Sequence, residues 1–202
     1  MRRGPWSGTT HDALRLDVVA VSFLPGPHGR DCSWGVVMTI ALYAGSFDPV
    51  TAGHLSVVRQ AARLFSHVVV VVAVNPNKQT LLTASERVAL VQGAVARHPN
   101  VTVTHTEGLI VELAREIGAS VLLRGVRGAT DAQFETELAQ MNRALAPEIS
   151  TLFLPAEAHL AEVSSSALKE RVARGEDVSA YCPPAVVAML RERLTSSLRS
   201  HP

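Results

Sequence analysis

Residues 43–54 read YAGSFDPVTAGH: a glycine, a hydroxyl, a proline-stopped loop and then a histidine. Gly45 stands where backbone must turn tightly or approach a ligand closely. Ser46 offers a hydroxyl, Pro49 fixes the loop, and Thr51 is suited to cap a following helix. Gly53 leaves room above the first turn of that helix. His54 falls in this turn, beside free backbone N–H groups and the positive end of the helix dipole. Such a helix start attracts anions and disfavours imidazolium, so His54 is expected as a neutral donor. Alone, T-x-G-H is short enough to be a helix cap with an incidental histidine.

Three further stretches change that balance. NPNK at 75–78 ends a nearly all-valine run with Lys78. RGVR at 124–127 brings Arg124 and Arg127, and VSSS at 163–166 places Ser164, Ser165 and Ser166 just before a helical pattern. Taken singly these are a solvated lysine, an exposed arginine pair and a run of capping serines. Brought to one edge of one sheet, they would enclose a multiply charged anion, with the serine turn a second phosphate cradle. There is no paired-carboxylate dyad, cysteine nucleophile or Ser–His–Asp arrangement, and no G-x-x-x-x-G-K-[ST] loop. The chemistry left is phosphoryl or nucleotidyl transfer, where positioning and electrostatics dominate. An attacking phosphate is already ionised, so no general base is needed.

The elements that must position these residues alternate from Met38 onward. Strands are expected at Ile40–Ala44, His67–Val74, Val101–His105, Val121–Leu123 and Thr151–Leu154. Helices are expected at Thr51–Phe65, from the capping box TASE (83–86) to about Ala96, at Ile110–Ile117 with Gly118 as stop, from a Thr130/Gln133 cap to about Leu145, at Ser165–Arg174 ended by Gly175, and from Pro183 and Pro184 to about Leu194. The valine run suits a central parallel strand. Five strands alternating with helices imply an α/β chain: a doubly wound, Rossmann-like parallel sheet with helices on both faces. Ligands of such sheets bind beyond the carboxyl ends of the strands, which selects the loops just read.

The chain has 202 residues, 47% of them apolar, enough for one cored domain. A net charge of +1 carries no electrostatic footprint for nucleic acid or an anionic membrane. The two cysteines, Cys32 and Cys182, have neither metal-ligand spacing nor a pairing framework, so a reduced cytoplasmic protein is expected. No run of about 18 apolar residues suggests a membrane span. Arg2 and Arg3 precede a semi-apolar run from Leu14 to Leu24, but no small-residue cleavage pattern follows, and a secretory signal is not expected. Residues 1–37 hold both tryptophans and no sustained period. They are expected to be a disordered extension or a start-site artefact, with the domain at 38–195 and a polar tail at 196–202. A chain starting at Met38 is then expected to be fully active.

GSFDPVTAGH resembles the signature of the nucleotidyltransferase superfamily, whose [T/H]-x-G-H element binds nucleotide phosphates. YAGSFDPVTAGH, NPNK, ERVAL (86–90), LLRGVRGATDAQFETELAQMNR (122–143) and VSSSALKE (163–170) together resemble the bacterial phosphopantetheine adenylyltransferases, in order over about residues 39–195. The R-G-[LV]-R element with the downstream D-x-x-x-E and M-N is far more specific than T-x-G-H. The resemblance implies transfer of AMP from ATP to 4′-phosphopantetheine, with Mg²⁺ carried on ATP and no dedicated metal site. It implies that Ser46, Phe47 and His54 meet the nucleotide, with Ser46 where the family often has threonine. Lys78 would neutralise phosphate charge between the substrates, and Arg124 would grip the acceptor phosphate or the α-phosphate. Gly125 and Arg127 would line the ATP pocket, Glu135 the ribose or adenine side, and Val163 to Ser166 the triphosphate tail. Leu109 and Ile110 would touch the pantetheine arm, with Asn142 a hydrogen-bond partner. The family's assembly is a homohexamer, a dimer of trimers.

Two rivals share the cradle. A nicotinate mononucleotide adenylyltransferase or a cytidylyltransferase would differ in RGVR and the VSSS loop. A non-catalytic nucleotide sensor would lack a reacting residue, whereas His54, Lys78 and Arg124 are all present.

Overall fold

The computed structural model describes residues 39–160 and 164–199. The chain runs β1 (Ile40–Gly45), α1 (Ala52–Leu64), β2 (His67–Ala73), α2 (Ala84–Val95), β3 (Val101–Thr106), α3 (Ile110–Glu116), β4 (Val121–Val126), α4 (Ala129–Leu145) and β5 (Ser150–Pro155). A short 3₁₀ turn at Ala158–Leu160 leads to α5 (Ser165–Ala173) and α6 (Pro184–Arg199). The five strands form one sheet in the order β3-β2-β1-β4-β5, and every neighbouring pair is parallel. The chain winds outward from β1 to β3, returns to place β4 on the other side of β1, and winds out again. The crevice between β1 and β4 is therefore the topological switch point.

Strand alternation divides the core. Val68, Val70 and Val72 face one cluster, with Ala41, Tyr43 and Leu123, under Val57 and Ala61 of α1, Val91 and Val95 of α2, Leu168 of α5 and Leu190 of α6. Val69 and Val71 face the other, with Leu42 and Leu122, under Val111 and Ala114 of α3. All five valines at 68–72 have no exposed surface, as expected of β-branched residues in a strand covered on both faces. The TASE capping box forms: Thr83 Oγ1 accepts from Glu86 N and the Glu86 carboxylate accepts from Thr83 N. Gly118 (φ 68°) and Gly175 (φ 77°) turn the chain after α3 and α5 in the left-handed region that favours glycine.

Three boundaries differ from the sequence expectation by more than one residue. β4 continues to Val126, so Arg124 and Gly125 lie in the strand and not in the loop after it, paired with Phe153 and Leu154 of β5. A charged residue and a glycine read as loop until a neighbouring strand supplies the ladder. α4 starts at Ala129 with Gly128 as N-cap, and Thr130 makes no cap. α6 runs to Arg199, past the helix end expected near Leu194.

Candidate active site

The crevice between β1 and β4 holds a cavity of about 280 Å³. Tyr43, Gly45 and Ser46 come to it from β1 and its loop, Thr51, Gly53, His54 and Val57 from the start of α1. Arg124 and Gly125 come from β4, and Arg127, Asp131 and Glu135 from the turn beyond it and α4. Ser164, Ser165 and Ser166 close it from the start of α5.

α1 begins with a reciprocal cap. Thr51 Oγ1 accepts from His54 N, while His54 Nδ1 accepts from Thr51 N at 3.0 Å, with the Thr51 hydroxyl also 3.0 Å away. A backbone N–H can only donate, so Nδ1 is the unprotonated nitrogen and Nε2 carries the hydrogen. His54 thus offers an N–H to the cavity. Desolvation, and then the nearby Arg127 guanidinium, push its pKa down to about 4, so it is neutral near pH 7. The ring stands edge-on to Phe47 (centroids 5.1 Å apart), which packs edge-on to Tyr43 (5.5 Å). Phe47 has φ 45° and is 1% exposed: its ring is a wall behind His54, held there by a left-handed turn of the loop. Burial raises the pKa of Tyr43 well above its ordinary value, keeping the phenol neutral.

Each arginine is steered by a carboxylate on α4. Arg124 Nε donates to Glu135 across a pair that is mostly buried. Asp131 accepts from Arg127 Nη2 at 2.9 Å and from its backbone N–H at 3.0 Å, and the Arg127 guanidinium holds the Asp131 carboxyl below its ordinary pKa. Gly125 is fixed by space. A Cβ there would lie 3.0 Å from Val57 Cγ2 and 3.2 Å from Tyr43 Oη. At the far wall Ser164 Oγ accepts from Ala167 N at 3.0 Å, and Ser165 Oγ donates to Pro49 O at 2.8 Å. The cap at Ser164 and the tie to the β1 loop aim the start of α5 at the start of α1. Two helix N-termini, a neutral imidazole N–H and two guanidinium groups thus surround one space, which suits a polyphosphate.

Of the residues expected from sequence, Ser46, His54, Arg124, Gly125, Arg127, Glu135 and Ser164 to Ser166 meet here. Phe47 lies beneath as the wall. Lys78 stands on an exposed turn after β2, while Leu109 and Ile110 follow β3 and Asn142 lies further along α4; none of these lines the cavity. Val163 lies outside the described residues. Asp131 went unassigned in the sequence, although its i, i+4 spacing from Arg127 is a readable signal. Tyr43, Val57 and Ala156 carry no such signal and are brought in by packing. Among the described residues no cluster of three or more His, Cys, Asp or Glu could hold a metal ion. The cavity's two carboxylates are already occupied by arginines, so the side chains present do not make a resident metal cage.

A cytidylyltransferase-like family model matches residues 42–171. A phosphopantetheine adenylyltransferase of Heliobacterium modesticaldum is 43% identical over 162 residues, covering 80% of this chain and 96% of its own. Those of Xylella fastidiosa and Thioalkalivibrio sulfidiphilus are each 47% identical, over 77% and 78% of this chain and 96% and 99% of theirs. Among solved structures, a Vibrio parahaemolyticus protein provisionally assigned as a nicotinate-nucleotide adenylyltransferase aligns over 77% of this chain and 94% of its own, with TM-score 0.59 and 21% identity, a likeness of fold. With its switch-point cradle and these relatives spanning nearly their whole length, the chain belongs to the phosphopantetheine adenylyltransferase family.

Proposed function

We propose that this chain transfers the adenylyl group of ATP to 4′-phosphopantetheine, giving dephospho-coenzyme A and pyrophosphate. The observation that carries the reading is the convergence of the His54 N–H, Arg124, Arg127 and the Ser164–Ser166 turn on the β1/β4 crevice of a chain from this family. An oxygen of the acceptor phosphate forms a bond to the α-phosphorus. The bond from that phosphorus to the α,β-bridging oxygen breaks, and its electron pair leaves with pyrophosphate. The attacking oxygen is already anionic, so no side chain needs to take a proton. The protein's part is to hold both phosphates in line and stabilise the charge that shifts toward the leaving group.

In this reading His54 donates to phosphate oxygens from a fixed ring, and Ser46 donates its hydroxyl beside it. Arg124 grips the acceptor phosphate or the α-phosphate. Arg127, Gly125 and the serine turn take the nucleotide, Glu135 faces the ribose or adenine side, and Phe47 backs His54; Val163, outside the described residues, would add a nucleotide contact. The β2 and β3 loops lie in sequence across the sheet edge from the crevice. There Lys78 would close over the phosphates, while Leu109, 53% exposed, Ile110 and Asn142 would contact the pantetheine arm. Mg²⁺ would arrive on the ATP phosphates, in keeping with carboxylates already paired to arginines.

Assembly as a homohexamer is supported by unpartnered apolar surface. α4 has no buried residue, and Phe134, Met141 and Leu145 on it are more than half exposed, as Leu152 and Phe153 of the edge strand β5 are in part. No helix among the described residues is long and apolar enough to cross a membrane. A cytoplasmic place in coenzyme A synthesis fits that and the buried free thiol of Cys182, raised to about 11 by burial.

The test is pyrophosphate release from Mg²⁺-ATP with 4′-phosphopantetheine, nicotinate mononucleotide or no acceptor. Release with phosphopantetheine alone is expected. Release with nicotinate mononucleotide instead would move the chain to the sister enzymes, and no release from folded, ATP-binding protein would make it a sensor.

A further inference from the structure

We infer that Asp48 is a positioning residue: its carboxylate fastens the Lys78 loop and helix α5 to the β1 loop, so that the two sides of the cleft keep one spacing. The inference rests on the adenylyltransferase reading for what Lys78 does, and on geometry for the fastening itself.

Asp48 is 6% exposed. Its Oδ2 accepts from Leu81 N at 3.0 Å and its Oδ1 from Leu82 N at 2.9 Å, across 33 and 34 residues of sequence. Oδ2 also meets Lys169 Nζ of α5 at 3.2 Å. Its neighbours carry two further ties. Arg87 Nη1, from a side chain in a residue only 2% exposed, donates to Ser46 O at 2.8 Å, and Ser165 Oγ donates to Pro49 O. Residues 46, 48 and 49 therefore bind the segment after β2, helix α2 and helix α5 to one loop.

The Lys78 end of this network is otherwise held by local bonds. Asn75 Oδ1 accepts from Asn77 N at 2.9 Å and Asn75 O accepts from Lys78 N at 3.0 Å, which shape a turn without anchoring it to the sheet. Upstream, Val74 N donates to Thr106 O of β3 at 2.8 Å; beyond it, the tertiary hydrogen bonds that fix residues 75–83 come at Leu81 and Leu82, through Asp48. A carboxylate can accept from both N–H groups and the ammonium together. An asparagine in the same shape keeps one carbonyl acceptor and turns an NH₂ toward a donor, so Asp48→Asn removes the clamp with little change of volume. A group that fixes others within about half an ångström acts through them.

The experiment compares Asp48→Asn, Lys78→Ala and the double variant of the full chain by steady-state kinetics and amide hydrogen exchange. Asp48→Asn is expected to speed exchange in residues 75–83 at least tenfold while β2 stays protected. It is also expected to lower kcat/KM for phosphopantetheine by about tenfold or more in the presence of Lys78, and less than twofold in its absence. A general loss of stability would instead speed exchange throughout and lower activity equally in both backgrounds. Either unchanged exchange at 75–83 or equal kinetic factors in the two backgrounds overturns the inference. If Asp48→Asn does not fold, Lys169→Met decides by the same cycle: a three- to tenfold loss that vanishes without Lys78 is expected, and equal losses overturn it. A wild-type chain inactive with phosphopantetheine would refute the proposed reaction, while the exchange result would still decide the clamp.

Discussion

Replacing His54 by alanine separates catalysis from stability. The ring contributes one N–H to the cavity, and removing a donor to charge that develops in a transition state costs about 10²–10³ in kcat. The same ring accepts from Thr51 N and packs on Phe47, so the variant should also lose about 1–2 kcal/mol of stability near pH 7. The pH dependence is the sharper mark. His54 is lowered from 6.5 to about 4 in the folded chain, so between these values the unfolded chain binds more protons. Stability from this group is therefore full above about pH 6.5 and falls as the medium is acidified toward 4. Linkage gives a loss on the order of 2 kcal/mol by pH 5. Urea unfolding of both chains from pH 7 to 4.5 should show the wild type losing its advantage over His54→Ala as pH falls. Pyrophosphate release gives kcat alongside. A kcat within threefold of wild type, or a stability difference that stays flat with pH, would refute the roles derived for this ring.

Gly125→Ala forces a methyl to within 3.0 Å of Val57, and overpacking of this kind costs about 1–3 kcal/mol; a lower Tm and weaker ATP binding are expected by calorimetry. Asp131→Asn loosens the Arg127 guanidinium, whose Nε and Nη2 both donate to the carboxylate at 3.3 and 2.9 Å, and should raise KM for ATP about three- to tenfold with a smaller change in kcat; an unchanged KM would rule out the steering role. Phe134→Glu places a charge on the exposed apolar face of α4 and should lower the assembly state in light scattering without lowering the Tm of the subunit; an unaltered mass would move the interface elsewhere.

The sequence by itself determined the order of elements, because local signals suffice for it. The valine run of β2 suits a strand covered on both faces. TASE closes its own capping box, and Gly118 and Gly175 stop their helices by taking positive φ. It also placed His54 in the first turn of α1, since a histidine three residues after a capping threonine falls beside the free N–H groups of that turn. The tertiary structure decided what depends on partners far away in the chain. Arg124 and Gly125 belong to β4 because β5 offers the ladder, and Arg124 is aimed by Glu135 from α4. Asp48, one polar residue among several in its loop, becomes a clamp because Leu81, Leu82 and Lys169 arrive beside it from 33 to 121 residues away. Local propensity acts over a few residues and is written in them. The placement of a charge follows from sheet order and packing, which close only when the whole chain has folded.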